Sequence, residues 1–405
     1  MPFVIPESWC WTSIGELFEH NTGKALNASN RDGKMMDYIT TSNLYWDRFD
    51  LSVVKQMLFT EEELWRCTAK KGDLLICEGG DIGRAAIWNY DYDIRIQNHI
   101  HRLRGYGGIN HRFYYFVFLL YKLSNRIGGK GVAIQGLSSG DLHKLEVPLP
   151  PECEQIRLVK TIDKWFKFVD LLEQEQENLH SLAQSTKSKI LGLAISGKLV
   201  PQDPNDEPAI ELLKRINPAF EPCDNSHYEN LPENWCIAKV KDVFVINPRN
   251  KAEDNTIAGF IPMTLIDDGY SNTFSYEKRK WGSIKTGFTH FADGDVAVAK
   301  ISPCLENRKS IVLRDLPNAI GAGTTELHVF RSSVVVPEYA LYFFKSEYFI
   351  RKCVGTFNGV VGQQRVGKNI IEEIQIPIPP INEQTKIVST IETIFTQLNT
   401  ITAEL

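Results

Sequence analysis

The amino-acid sequence is written twice. Ile5-Pro6-Glu7-Ser8-Trp9-Cys10 returns as Leu231-Pro232-Glu233-Asn234-Trp235-Cys236, 226 residues on, and Val147-Pro148-Leu149-Pro150-Pro151 returns as Ile376-Pro377-Ile378-Pro379-Pro380, 229 residues on. Between these landmarks, Gly72-Asp73-Leu74-Leu75-Ile76 matches Gly294-Asp295-Val296-Ala297-Val298 at a shift of 222, and Gln135 falls opposite Gln364 at a shift of 229. Landmarks that keep one order with small drifts mark a tandem duplication. The 405 residues therefore fold as two copies of one plan, each with its own core.

Each copy opens on a globular part, 1–151 and 231–380. Short β-type runs bounded by Gly, Asn, Asp and Pro fill these parts, at Gly72 to Cys77, Ala85 to Trp88, Asp295 to Ala299, Ser310 to Leu313 and Glu326 to Phe330. Helical stretches such as Phe113 to Asn125 and Pro337 to Val354 join them, so the expected class is α+β. A helix follows each proline run, over 152–200 and 381–405, and 201–230 reads as a linker with one short helix ending at Ile216. Prolines at 150–151 and 379–380 suit helix entrances, and Gly197 suits a helix end. In the first helix Leu158, Ile162, Trp165, Val169 and Leu172 begin a 4-3 alternation that runs on to Leu193; Ile387, Ile391, Ile394, Leu398 and Ile401 carry it in the second. A sustained 4-3 repeat keeps one stripe facing a partner helix. An antiparallel coiled-coil spacer, with those two sets facing each other, is therefore expected. The other reading leaves both helices on the surfaces of their own domains.

Composition decides what kind of molecule this is. Hydrophobic residues at 43% and charged residues at 23% are those of a globular chain. The longest strongly apolar run, Phe113 to Leu120, is far shorter than a membrane span, so no membrane partner is expected. Met1-Pro2-Phe3-Val4-Ile5-Pro6-Glu7 lacks the features of a secretory signal, and eight cysteines without a CxxC pair read as reduced thiols in a cytoplasmic protein. The net charge of −5 argues against nucleic acid until it is divided. Segment 1–151 is neutral, 152–230 carries −5, 231–380 carries +2 and 381–405 carries −2. The excess acid sits on the helices and linker, and the globular parts are free to present basic surfaces.

Catalytic patterns are missing. No Gly-Lys pair is followed by Ser or Thr as a phosphate loop requires, and no GxGxxG, HExxH, GxSxG or zinc-spaced Cys/His cluster occurs. His99 and His101 share a strand face, and Asp32-Gly33-Lys34 reads as a turn rather than as part of a nuclease site. The expectation is a non-catalytic protein without cofactor or metal. A duplicated metal-dependent nuclease and a coiled-coil protein-interaction adaptor are the alternatives.

Two globular units, each passing through a proline step and Glu-Gln into a long helix, resemble the DNA-specificity subunit (HsdS) of type I restriction-modification enzymes. Leu149-Pro150-Pro151-Glu152-Cys153-Glu154-Gln155, Ile378-Pro379-Pro380-Ile381-Asn382-Glu383-Gln384 and the run from Ile195 to Ala209 carry the resemblance. It implies two target-recognition domains, each reading half of a bipartite double-stranded DNA site. It also implies that the helices set the spacing and dock two methyltransferase subunits, with motor-endonuclease subunits joining the complex. Off-seam apolar residues Phe166, Phe168, Leu182 and Phe395 are the candidates for that docking.

Reading DNA needs cations on phosphates and polar side chains at base edges. Candidates from loop composition are Thr41, Asn43, Arg84, Lys130 and Gln135 in the first copy, and Lys278, Arg279, Lys280, Lys300, Arg308, Gln363, Gln364, Arg365, Lys368 and Asn369 in the second. Gln135 and Gln364 are the sharpest pair, polar at one matched position in two diverged copies.

Overall fold

The computed structural model describes residues 3–26, 32–127, 137–224, 231–356 and 364–403. The chain divides into two compact units, Met1–Leu172 and Glu173–Leu405. Among the described residues no helix is long and apolar enough to cross a membrane.

In the first unit, Cys10–Ser13 pairs antiparallel with Glu146–Leu149, bringing the start of the domain to its end. An antiparallel sheet runs in the order Phe18–Thr22, Ile100–Gly105, Leu74–Cys77, Ala85–Ile87. A second sheet runs Lys55–Phe59, Lys34–Ile39, Ile94–Ile96, Thr68–Ala69, with its central pair parallel. The helix His111–Leu123 starts at Asn110, whose side chain accepts from the backbone N–H groups of Arg112 and Phe113, as an N-cap should. It buries Phe113, Tyr114, Val117, Phe118 and Tyr121 in the core with Ile14, Phe18, Leu74, Ile76 and Leu103.

The second unit repeats these three sheets in the same strand order. Cys236–Lys239 pairs with Gln375–Ile378. Val245–Ile246, Leu327–Arg331, Val296–Ala299 and Ser310–Val312 form the antiparallel sheet. Glu277–Lys280, Ile257–Ile261, Ile320–Gly323 and Thr289–Ala292 form the mixed one, again with a parallel central pair. Where one helix was expected from Pro337 to Val354, two occur, Pro337–Lys345 and Glu347–Val354. The break is at Ser346, whose extended backbone and side chain, accepting from Phe349 N–H, make it an N-cap.

The repeated landmarks are the residues that bond each unit together. Trp9 Nε1 donates to Glu154 and Trp235 Nε1 to Glu383, each at 3.0 Å. Gln155 donates to Pro150 O and accepts from Asn110 N; Gln384 donates to Pro379 O and accepts from Val336 N. The Gly-Asp motifs place a buried carboxylate, Asp73 or Asp295, in a two-pronged pair with Arg104 or Arg331 of the neighbouring strand.

The first long helix spans Glu152–Ile195, and Gly197 closes it at φ +71°, where Lys198 N–H reaches back to Leu193 O. A Cβ on Gly197 would come within 2.5 Å of the Pro232 ring, so the site needs glycine on two counts. The second long helix, Ile381–Ala403, packs in the second unit's core against Ile190, Leu191, Ala194 and Ile195. Lys187 meets Asn399 while Gln202 meets Glu383, so the second helix runs antiparallel to the C-terminal part of the first.

This corrects the expected register. Leu158 and Ile162 pack on the first unit's own core, and Trp165, Val169 and Leu172 are exposed rather than facing Ile387, Ile391, Ile394, Leu398 and Ile401. The reason is reach. A helix of 23 residues extends about 35 Å, roughly half the length of its 44-residue partner, and it starts beside that partner's C-terminal end. Ile387 and Ile391 are buried, Ile394 and Leu398 partly so, and Ile401 is exposed.

Candidate nucleic-acid interface

In the second unit the strands feed one end of the fold where three chain segments meet. Val366 is buried, and around it the chain zips onto residues 300–302: Ser302 N–H donates to Gln364 O at 2.8 Å, Val366 N–H donates to Lys300 O at 2.9 Å, and Arg365 bridges Ile301. The carbonyl of Val366 accepts from His328 Nε2 at 3.1 Å. His328 is buried on the central strand Leu327–Arg331, and burial lowers its pKa below the ordinary imidazole value. Arg365 grips Glu326 with two nitrogens, at 2.8 and 3.0 Å, and that hydrogen bonding holds the Glu326 carboxyl below its usual range. This cluster gathers Lys300, Gln364, Arg365, Lys368 and Asn369. Gln364 and Lys300 are half-buried, whereas Lys368 and Asn369 are exposed at the start of the helix Lys368–Glu372, where Lys368 pairs with Glu372.

The first unit offers the matching place. His101, buried on the equivalent strand Ile100–Gly105, donates through Nε2 to Leu137 O at 2.7 Å. Its Nδ1 lies 3.0 Å from His20 Nε2, and burial, with His101 as the next cause, pulls the His20 pKa down to about 4. Lys130, Gln135 and, in the second unit, Gln363 lie outside the described residues.

Several expected contacts are corrected. Asn43 is buried: its Oδ1 accepts from Thr40 N and its Nδ2 donates to Asp50 O and Val53 O, so it closes a turn and has no donor left for a base. Arg84 donates to Thr41 O and lies 5.2 Å from the Tyr45 ring, which ties the Thr41 and Arg84 loops together. Arg308 donates to Lys345 O and Glu347 and covers the Tyr270 ring, a packing role. Lys278, Arg279 and Lys280 do not sit in a loop but on the edge strand Glu277–Lys280. Arg279 pairs with Glu277 and stacks 3.8 Å over Phe260, while Lys278 and Lys280 are exposed. Phe395 is buried between Tyr270, Tyr342 and Lys187 and is no docking surface. Phe166, Phe168 and Leu182 are exposed, Phe166 stacking on Phe116.

In the sequence His101 stands out only as a neighbour of His99 on one strand face, and His328 not at all. They stand 227 residues apart, inside the range of the repeat shifts, and that spacing was available in the sequence. Chemically the cluster holds amides, cations and fixed carbonyls suited to hydrogen bonding. Among the described residues no group of three or more His, Cys, Asp or Glu side chains is placed to hold a metal ion.

A model of the type I restriction modification DNA specificity domain matches residues 6–181 and 232–405. The chain is 40% identical over 220 residues to the type I restriction enzyme EcoEI specificity subunit of Escherichia coli, covering 50% of this chain and 37% of that one. It is 41% identical over 218 residues to the EcoAI specificity subunit of Escherichia coli, covering 49% of this chain and 37% of that one. The match thus spans little more than a third of the length of these relatives. Among solved structures, the fold resembles a chain from a study of complex assembly and conformational transition of the type I R-M system, with a TM-score of 0.61 at 15% identity over 100% of this chain and 94% of that one. It also resembles the HsdS subunit from Thermoanaerobacter tengcongensis, with a TM-score of 0.55 at 15% identity over 98% and 92%. At such identities the structural likeness is one of fold.

Proposed function

The chain belongs to the type I restriction modification DNA specificity family, and on that premise we propose that it is a sequence-specific DNA-binding subunit of a type I restriction-modification complex in the cytoplasm. Each globular unit reads one half of a bipartite target. The long helices set the spacing of the halves and dock two methyltransferase subunits, and motor-endonuclease subunits join through the complex. The chain itself supplies recognition, and the partner subunits supply methyl transfer and cleavage. The family match gives the duplicated-nuclease and adaptor readings no support.

The observation that carries this reading is that one chain holds two units with one strand order and different residues in their loops. That is what two readers of two different half-sites require. Phe166, Phe168 and Leu182, exposed on the first long helix, remain the proposed docking residues.

The test is selection by the full chain from duplexes randomised at both half-sites. Gln364→Ala is expected to relax preference at one base of one half-site, by roughly tenfold or more for a lost bidentate amide contact, and to leave the other half-site intact. An even loss at all positions, or no motif enriched by the unaltered chain, would overturn the reading. Comparison of genomic methylation with and without the gene then gives the target directly.

A further inference from the structure

We propose that His101 and His328 are a matched pair of positioning residues, each fixing the backbone two residues beyond the glutamine that reads DNA in its unit; the inference rests on the reading proposed above. His101 Nε2 donates to Leu137 O and His328 Nε2 donates to Val366 O, at 2.7 and 3.1 Å. Leu137 follows Gln135 by two residues, and Val366 follows Gln364 by two. In both copies the accepting residue buries its own side chain, and in both the chain then enters a short helix, Ser139–His143 or Lys368–Glu372. The two units have diverged in nearly every loop residue, yet they retain this bond between the second residue of the central strand and one point of the loop.

The chemistry at the far side of each ring fixes which nitrogen carries the proton. His101 Nδ1 faces His20 Nε2 at 3.0 Å, and His328 Nδ1 faces Asn247 Nδ2 at 3.4 Å. An amide nitrogen can only donate, so His328 presents a bare Nδ1 to it and keeps its hydrogen on Nε2. In the first copy the same tautomer follows from the carbonyl acceptor at Nε2, and His20 then donates to His101. Protonating His328 at Nδ1 would set two donors against each other, and a hydrogen on His101 Nδ1 would require His20 Nε2 to turn from donor to acceptor. Burial acts in the same direction, lowering both pKa values, so each ring is held neutral with its donor aimed at the loop. Arg308 and Asn43, by contrast, tie down loops with no matching bond in the other copy, which is why they read as packing alone.

What the bond accomplishes is placement. A base-edge contact tolerates little displacement, and a loop carbonyl pinned to a sheet transmits the sheet's rigidity to the side chain two residues away. The experiment uses the full chain with His101→Leu, His328→Leu and His328→Gln, each subjected to selection from the doubly randomised duplexes, with thermal melting to confirm folding. His328→Leu is expected to lower base discrimination tenfold or more in one half-site only, and His101→Leu in the other half-site only. His328→Gln, whose Nε2 keeps a donor at similar reach, restores most of it. Unchanged preference in a folded leucine variant, simultaneous loss in both halves, or a glutamine variant no better than leucine overturns the inference while the unaltered chain still enriches its motif. An unaltered chain that enriches nothing overturns the recognition reading, and this inference with it. Should a leucine variant fail to fold, the imidazole nitrogen resonances decide: a protonated Nε2 and bare Nδ1 at neutral pH in both rings support the assignment, and the opposite tautomer in either overturns it.

Discussion

Lys345 ends the helix Pro337–Lys345 wholly buried, its Nζ donating to the carbonyls of Gly269 and Arg308 at 2.7 and 2.8 Å. Desolvation, and then the nearby Arg308 guanidinium, pull its pKa down to about 7, with Asp268 opposing weakly. An unfolded lysine titrates near 10.4. Between about pH 7 and that value the unfolded chain binds one more proton than the folded one, so this group makes stability rise with pH, by at most about 1.4 kcal/mol per unit. The contribution is lost as the pH falls through 7, below which both states carry the proton. Buried thiols such as Cys236 and Cys353, pushed up to about 12, act in the opposite sense. The difference between the unaltered chain and Lys345→Met therefore isolates the lysine. Denaturant midpoints of the second unit at pH 7, 8 and 9 are expected to diverge with rising pH, and parallel midpoints would rule out the lysine as their cause. The same residue shows why side-chain roles were hard to read in advance. Asn43, Arg308 and Lys345 have the composition of loop readers or surface cations, and only the backbone carbonyls and N–H groups around them, brought in from 7 to 76 residues away, show that their donors are already used.

On the two long helices, the 4-3 periodicity was legible and the register was not. Period is a property of one chain segment, whereas register depends on where the second unit delivers the start of its helix. That point is set by the Gly197 turn against Pro232 and by Gln202 reaching Glu383. The consequence is a gradient of energetic importance along one stripe. Ile391→Ala and Phe395→Ala remove buried side chains and are expected to cost the second unit about 2–5 kcal/mol each. Leu182→Ala and Val169→Ala, on exposed turns, are expected to stay within about 0.5 kcal/mol in the isolated chain. Hydrogen exchange of the amides in Ile381–Ala403 checks the first pair, because local protection there reports on the second unit whatever the first is doing. Equal costs along the whole stripe would mean that the helix pairing extends further than the contacts described above. Strand pairing was the less legible half of the fold. Runs of two to six residues carry no mark of their partner, so the parallel pair at the centre of each mixed sheet emerges only from contacts made dozens of residues apart.

Across the whole chain, duplication was the most legible property because it is written in residues that bond the fold to itself: the tryptophans, the prolines and the Glu-Gln steps. The candidate contact residues were the least legible, since, Gln135 and Gln364 excepted, no repeated landmark marks them. Charge bridges the two. The helices and linker together carry −7, while 1–151 is neutral and 231–380 carries +2, so phosphate contacts belong to the globular units if the chain binds DNA as proposed. The edge strand Glu277–Lys280 tests this. Lys278 and Lys280 are exposed, and no ion pair involves either among the described residues, whereas Arg279 is engaged by Glu277 and the Phe260 ring. Each lysine that neutralises a phosphate releases counterion, and log affinity falls with log salt by about 0.9 per contact. The double substitution of Lys278 and Lys280 by alanine is therefore expected to flatten the salt dependence of duplex binding by about 2 and to leave the selected motif unchanged. Arg279→Ala, removing a cation already paired, is expected to alter the slope by less than either lysine. Binding constants measured from 50 to 200 mM salt separate the cases. A slope untouched by loss of both lysines would remove this strand from the phosphate path, and a changed motif would mean that it reads bases.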